Sequence, residues 1–192
     1  MSKIIYKNYS IAINNSDYQD DPRKFNDYIG SLALYHKRYT LAKEDNLTID
    51  EAYEIESSNN YICLPVYGYD HGGLTVSTSK FSCPYDSGKL GITYVSKEKL
   101  KVMYNVKRIS NKLKNKIIEY LENELAEYNC YLTGDIYDII IYDAEDNELD
   151  SFSGFYGYDR ALAEAQSYID SRTEYDEYIA KKLPMQLSLP LY

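Results

Sequence analysis

The sequence predicts an α+β fold, with a mixed or mostly antiparallel sheet and three or four helices in a single domain. Short runs that alternate apolar and polar residues, separated by turn residues, are typical of strands. Two longer segments, near residues 110–132 and 159–182, instead repeat apolar residues at helical spacing. A length of 192 residues is enough for one sizeable core and leaves little room for a second.

The alternating runs define the predicted strands. The first covers residues 3–14, with its apolar residues facing inward and a bend near Asn8. Pro65 cannot donate a hydrogen bond to a ladder, so we place its strand at an edge or a bulge. The other predicted strands cover residues 28–36, 61–69, 74–78 and 90–95, followed by a hairpin of residues 135–142 and 148–155.

Capping residues predict where the shorter helices begin. Thr48 and Glu51 have the spacing of a capping box, in which a hydroxyl and a carboxylate satisfy each other's backbone N–H groups. A short helix should follow, to about residue 56. Ser96 is placed to cap a second short helix that ends near Tyr104.

Two longer helices follow. Ser110 is a good N-cap for the first, and Gly134 stands where a C-terminal glycine is expected. Asp159 caps the second, which should end near Lys182 because Pro184 cannot continue it. The inward stripes are Leu113, Ile117, Leu121, Leu125, Tyr128 and Leu132 in the first helix, and Leu162, Ala165, Ile169, Tyr175 and Ile179 in the second. We therefore expect an acidic domain over residues 1–182 and a flexible C-terminal peptide over residues 183–192.

The formal net charge is −9, and it is unevenly distributed. Residues 97–116 hold eight Lys or Arg against one Asp or Glu, whereas residues 135–180 hold two against 13. Net acidity argues against direct binding to nucleic acid, whose phosphates attract cations. It leaves two interpretations, a surface that serves solubility or an acidic face that contacts a basic partner.

The acidic-face interpretation predicts a decoy of DNA. Such a protein would occupy the nucleic-acid channel of a basic partner, for example a defence nuclease, as anti-CRISPR and anti-restriction proteins do. Ten of the 24 Tyr fall within residues 117–180, and Tyr is enriched at protein interfaces. Tyr can equally replace Phe and Trp at the edge of a core. The candidate contact residues are Asp143, Glu145, Asp146, Glu148 and Asp150.

An enzyme is a further alternative, although we do not expect one. Asp70 and His71 lie in one glycine-rich turn, and Cys83 and Asp86 lie in another about a dozen residues later. Folded together, Cys83, His71 and Asp86 could act as nucleophile, base and orienting acid. Asp70, His71 and Asp86 could instead ligate a metal, but both segments are also good turn sequences. We predict neither a bound metal nor a cofactor.

Three cysteines without a Cys-x-x-Cys pair indicate neither a disulfide framework nor a zinc ribbon. The N-terminus lacks the long apolar region of a secretory signal, and no apolar run is long enough to cross a membrane. We therefore expect a cytoplasmic protein of a bacterial host cell, without a membrane partner.

The sequence QLSLPL at residues 186–191 resembles the hexapeptide form of the bacterial sliding-clamp-binding motif. The resemblance covers six residues, and every position fits. It implies that Gln186 is a polar anchor and that the following side chains enter an apolar groove on the clamp. Tyr192 extends beyond the motif. The alternative is that this apolar tail folds back on its own domain. The residues predicted to contact the clamp are Gln186, Leu187, Ser188, Leu189, Pro190 and Leu191.

The body of the chain resembles a family of small proteins encoded by phages and mobile elements. The similar segments are residues 64–73, 81–88, 91–98, 131–135 and 154–159. This resemblance implies a genomic context and no particular reaction. Together with the motif, it predicts an accessory protein that binds the host's sliding clamp and inhibits or redirects replication, repair or defence.

Overall fold

The computed structural model describes the backbone of residues 3–186 and the side chains of residues 3–178. Over these residues the chain forms eight strands and four α-helices, with short 3-10 turns at Pro22–Lys24 and Glu44–Asn46. The strands are β1 (Ile4–Tyr6), β2 (Tyr9–Asn15), β3 (Ser31–Leu34), β4 (Tyr61–Asp70), β5 (Leu74–Ser77), β6 (Ser87–Ser96), β7 (Ile136–Tyr142) and β8 (Glu148–Tyr156). The helices are α1 (Ile49–Ser57), α2 (Lys97–Met103), α3 (Asn111–Thr133) and α4 (Tyr158–Gln186).

The elements form two compact units. Unit 1 consists of residues 1–19 and 135–192, and unit 2 of residues 20–134. Each contains an antiparallel four-stranded sheet, in the order β1-β2-β7-β8 in unit 1 and β3-β6-β4-β5 in unit 2. The α+β class, the antiparallel pairing and the number of helices are confirmed. The strands, however, are divided between two sheets.

In unit 1, α4 packs on one face of the sheet. Ile11, Ile139 and Ile141 of the sheet are fully buried against Ala161 and Ala165 of the helix. The small alanines bring the helix backbone close to the isoleucines, and such close packing is the main source of helix stability. Ile169 is the last fully buried residue of this helix within the described side chains.

In unit 2, helices cover both faces of the sheet. Side chains alternate along a strand, so neighbouring residues of β3 face opposite ways. Leu32 and Leu34 pack with α3, whereas Ala33 packs with α1. The partners are Leu125 and Tyr128 in α3, and Ala52 and Ile55 in α1. A strand buried on both faces reads as a continuous apolar run, as β3 does.

The local signals for helix ends are confirmed. Thr48 and Glu51 form the reciprocal capping box. The hydroxyl of Ser110 accepts from the N–H of Leu113 at 3.2 Å, and Gly134 ends α3 with a left-handed φ of 71°. Ser96 caps α2 in the same way as Ser110 caps α3.

Pro65 also lies where the sequence places it. Its segment of β4 pairs with β6 alone, because β5 joins only from Tyr67 onward, and the ladder has a bulge between Val66 and Tyr67. A residue without an N–H is tolerated in this position, since no neighbouring strand requires its hydrogen bond.

Four predictions about unit 1 were wrong. Residues 3–14 do not form one bent strand, because Lys7 adopts a positive φ of 54° and turns the chain into a β1–β2 hairpin. Helix α4 begins at Tyr158, so Asp159 lies in its first turn and is not its N-cap. The helix also continues past Lys182 to Gln186, with Pro184 in its last turn. Tyr175, predicted in the inward stripe, is exposed.

Candidate functional site

The five predicted acidic contact residues lie together on the β7–β8 hairpin of unit 1. Some of them form hydrogen bonds or ion pairs within the hairpin and with neighbouring residues. Asp143 opens the turn: its Oδ1 accepts from the backbone N–H groups of Glu145 at 3.0 Å and Asn147 at 2.8 Å. The side chain of Asn147 donates to the same carboxylate. These hydrogen bonds, first those from the Asn147 side chain, stabilise the charged form and lower the pKa of Asp143.

Asp146 and Asp150 are also partly occupied by local contacts. Asp146 has a left-handed φ of 67° and pairs with Lys3, whose ammonium lies 3.3 Å from the centre of the Tyr142 ring. One carboxylate oxygen of Asp150 accepts from the N–H of Ser151 at 2.9 Å. Glu145 and Glu148 are exposed and form no ion pair with any residue that the structure describes. These two glutamates are therefore the hairpin carboxylates left for a partner. The acidic-decoy hypothesis stays a prediction.

The charge of the chain is concentrated in unit 1. Unit 1 has 14 Asp and Glu against six Lys and Arg, whereas unit 2 has 16 against 15. Almost all of the net charge of −9 therefore belongs to unit 1. The sequence argument placed the acidic charge over residues 135–180 but named contact residues only on the hairpin. Exposed residues of helix α4 include Glu174, Tyr175, Asp176, Glu177 and Tyr178.

Helix α4 leads directly to the segment that resembles the clamp-binding motif. Its last residue is Gln186, the first residue of the motif, and residues 187–192 lie outside the described residues, as does the Gln186 side chain. The predicted contacts of Leu187, Ser188, Leu189, Pro190 and Leu191 therefore cannot be placed on the fold. Residues 174–178 are all exposed, which is more than one helical turn of 3.6 residues.

Unit 2 brings together the three residues of the enzyme hypothesis. The Nδ1 of His71 lies 3.2 Å from Oδ2 of Asp86, and the Cys83 thiol donates to the same oxygen at 3.8 Å. The two turns meet because the N–H of Asp70 donates to the carbonyl of Asp86 at 2.8 Å.

The order of these contacts does not match a catalytic triad. An activated thiol must contact the base, and the base must contact the acid. Here the carboxylate stands between the thiol and the imidazole, and the described residues include no hydrogen bond from Cys83 to His71. The His71 side chain is also 71% exposed, so water reaches it from most directions. The geometry fits turn residues better than a nucleophile and its base.

A second histidine–aspartate pair lies beside the first. His36 Nε2 is 3.6 Å from Oδ2 of Asp70, and Asp70 also accepts from Arg38 and from the Tyr39 hydroxyl. His36, Arg38 and Asp70 border an open cleft of about 300 Å³ that Asp86 also lines. The sequence argument missed His36, since 34 residues separate it from Asp70 and no motif connects them. Within residues 3–178, no group of three His, Cys, Asp or Glu side chains could hold a metal ion.

Comparison of the chain with protein-family models, with curated proteins and with solved structures gave no match. Among the helices of residues 3–186, none has the length and apolar character needed to cross a membrane.

Proposed function

We propose that the protein is an accessory factor that binds the bacterial DNA sliding clamp through residues 186–191. Its acidic folded body then inhibits or redirects replication, repair or defence at the clamp. The observation that carries the proposal is the match of QLSLPL to the clamp-binding hexapeptide at the end of helix α4. The phage-like and mobile-element-like segments of the body support the same role.

The course of α4 supports this proposal. Ile169 is the last fully buried residue of the helix among the described side chains, and residues 174–178 are exposed. At a rise of about 1.5 Å per residue, the 13 residues that follow Thr173, up to Gln186, extend about 20 Å along the helix axis. A peptide that follows such a helix begins well beyond the last buried residues of the unit 1 core.

The chemistry of the motif fits an apolar groove. The resemblance assigns the polar contact to Gln186 and the pocket contacts to Leu187 and Leu189, with Pro190 and Leu191 at the deeper end. A proline restricts the unbound peptide, so less conformational entropy is lost on binding. Occupation of a groove that other clamp-binding proteins use would displace them from the clamp.

The test is calorimetric titration of a purified bacterial clamp with the full-length chain. We expect the wild type to bind and the Gln186→Ala/Leu189→Ala variant to lose most of the binding heat, because both the polar anchor and one pocket side chain are removed. Ser188→Asp is the matched control, since the motif accepts either residue at that position. Equal binding by the double variant, or no binding by the wild type, would rule out this function.

A further inference from the structure

The first part of α3 and the preceding helix form a basic corner on unit 2, which we define as residues 97–116. Its inner side is fixed to the core. Leu100 is fully buried with Ile117, and Tyr104, Ile109 and Leu113 pack against the same cluster. The caps by Ser96 and Ser110 fix the starts of both helices. The outer side chains therefore project from a well-anchored backbone.

The outer side of the basic corner carries cations without acidic partners. None of its eight Lys and Arg forms an ion pair with any described Asp or Glu. Two of them, Lys97 and Lys99, donate to the carbonyls of Asn59 and Ile29, and Lys116 interacts with the Tyr120 hydroxyl. The other five are exposed and make no side-chain hydrogen bond or ion pair with the described residues. These five are Lys101, Lys107, Arg108, Lys112 and Lys114.

Ion pairing in unit 2 occurs outside the corner, where three of the seven Lys and Arg bind a described carboxylate. These three are Arg23, Arg38 and Lys89. Clustered like charges repel one another, which costs stability unless anions from outside neutralise them. The corner is thus a complementary surface for an anionic polymer.

Two exposed apolar side chains lie within the cluster of cations. Val102 and Met103 at the end of α2 are 79% and 50% exposed. They follow Lys101 directly and precede Lys107 and Arg108 in the next loop. Apolar side chains of DNA-binding proteins contact base edges in the major groove or insert between base steps from the minor groove. An acidic protein surface would supply fewer and less regular anions than a nucleic-acid backbone does.

We propose that the basic corner binds the phosphate backbone of DNA, with Val102 and Met103 in apolar contact with the sugars and bases. This departs from the expectation drawn from the net charge of the whole chain. That net charge belongs almost entirely to unit 1, whereas unit 2 is nearly neutral, with 16 Asp and Glu against 15 Lys and Arg. The proposal does not depend on the clamp-binding motif, because it concerns unit 2 alone.

The test measures binding of the full-length chain to a fluorescein-labelled DNA duplex by fluorescence anisotropy, at several salt concentrations. The variant Lys107→Gln/Arg108→Gln/Lys112→Gln should weaken binding about 10-fold or more at low salt. It should also reduce the slope of log affinity against log salt by about two to three, since each lost phosphate contact contributes about 0.9. Val102→Ser/Met103→Ser should weaken binding and leave the slope unchanged.

The matched control is Lys24→Gln/Lys37→Gln/Lys80→Gln, which removes three exposed cations of unit 2 outside the corner. Its affinity should stay within about twofold of the wild type, because these residues make no phosphate contact in the proposal. If the first triple variant were poorly folded in a thermal melt, Lys101→Gln/Lys114→Gln would replace it. The proposal is overturned if the wild type does not bind at low salt, or if the control loses as much affinity as the corner variant. Salt-sensitive self-association or binding to anionic vesicles, without binding to DNA, would overturn it too.

Discussion

Carboxylates serve different purposes in the two units. In unit 2, the Glu124 side chain is only 12% exposed and lies near the Arg23 guanidinium, which is 4% exposed. Glu124 accepts from the N–H groups of Ile29 at 2.7 Å and Gly30 at 3.0 Å, and Arg23 also binds Glu44. In unit 1, the carboxylates of Asp143 and Asp170 make their contacts at the surface. Asp143 accepts from the backbone N–H of Asn147, and Asp170 pairs with Lys7 at 2.8 Å.

The charged groups around Arg23 therefore hold elements of unit 2 together in its interior, whereas those of unit 1 lie on its surface. The Arg23 cluster joins the 3-10 turn of residues 22–24, the start of β3 and the middle of α3, so unit 2 depends on it. The carboxylates of unit 1 support individual turns and pairs, and its core is entirely apolar. We therefore expect the surface of unit 1 to tolerate charge changes that the interior of unit 2 does not.

The largest expected effect is that of Arg23→Met. It leaves Glu124 buried without its cation, and such a loss costs about 3–5 kcal/mol in the free energy of unfolding. Urea unfolding followed by circular dichroism measures it. Lys24→Met is the neighbouring control, and as an exposed site it should change the free energy by less than about 0.5 kcal/mol. Similar values for both variants would mean that the buried cluster does not hold unit 2 together.

A smaller effect is expected from Glu124→Gln, and it depends on pH. Burial raises the pKa of Glu124 above its ordinary value of 4.5, although the N–H groups of Ile29 and Gly30 and the charge of Arg23 oppose the shift. A carboxyl group whose pKa is raised in the folded state stabilises the fold at pH values below its ordinary pKa. This contribution to stability is lost as pH rises through the folded-state pKa.

The wild type should therefore lose stability relative to Glu124→Gln as pH rises from about 4 to 7. Urea midpoints of the two proteins at a series of pH values make the comparison. If the wild type instead became more stable than the variant as pH rises over this range, the effect of Arg23 on the pKa of Glu124 would outweigh that of burial.

The smallest effect is expected in unit 1, from Asp143→Asn, and it has the opposite sign. The hydrogen bonds from Asn147 and Glu145 lower the pKa of Asp143 below 3.8, so its contribution is present above that value and lost as pH falls through the folded value. The wild type should therefore be slightly more stable to unfolding than Asp143→Asn near neutral pH, and this difference in stability should disappear in acid.

The same pH series of urea midpoints measures this effect. Glu145→Gln, at an exposed position of the same turn, should show no such trend. An advantage of the wild type that persists at the lowest pH would contradict the assignment of Asp143 as the residue that holds the turn.

The sequence could predict those features of each unit that depend on neighbouring residues. Thr48, Ser110 and Gly134 act within one helical turn, so their roles follow from spacing alone. The meeting of the Asp70 and Asp86 turns was also predictable, because only one short strand and its loops separate them. Asn8 indicated a bend in the first strand, but the tight turn at Lys7 was not predictable, since a lysine rarely adopts a positive φ.

The long-range arrangement could not be predicted. Arg23 and Glu124 are 101 positions apart, and β2 pairs with β7 across more than a hundred residues. Alternation of apolar and polar residues predicts that a strand exists but does not predict which strand it pairs with. The division of the strands into two sheets therefore cannot be recognised from the local sequence. At the candidate sites, the sequence identified His71, Cys83 and Asp86 but could not give the order of their contacts.

The pairing of β2 with β7 determines when each unit can fold during synthesis. Residues 20–134 form unit 2 without any other segment, so this part can fold as soon as it has left the ribosome. Strand β2 is synthesised before unit 2 but cannot complete its sheet until β7 has been synthesised, because residues such as Asn15 pair with Tyr137 of β7. The acidic unit therefore forms after unit 2, and residues 186–191 are synthesised only after all eight strands of the described residues.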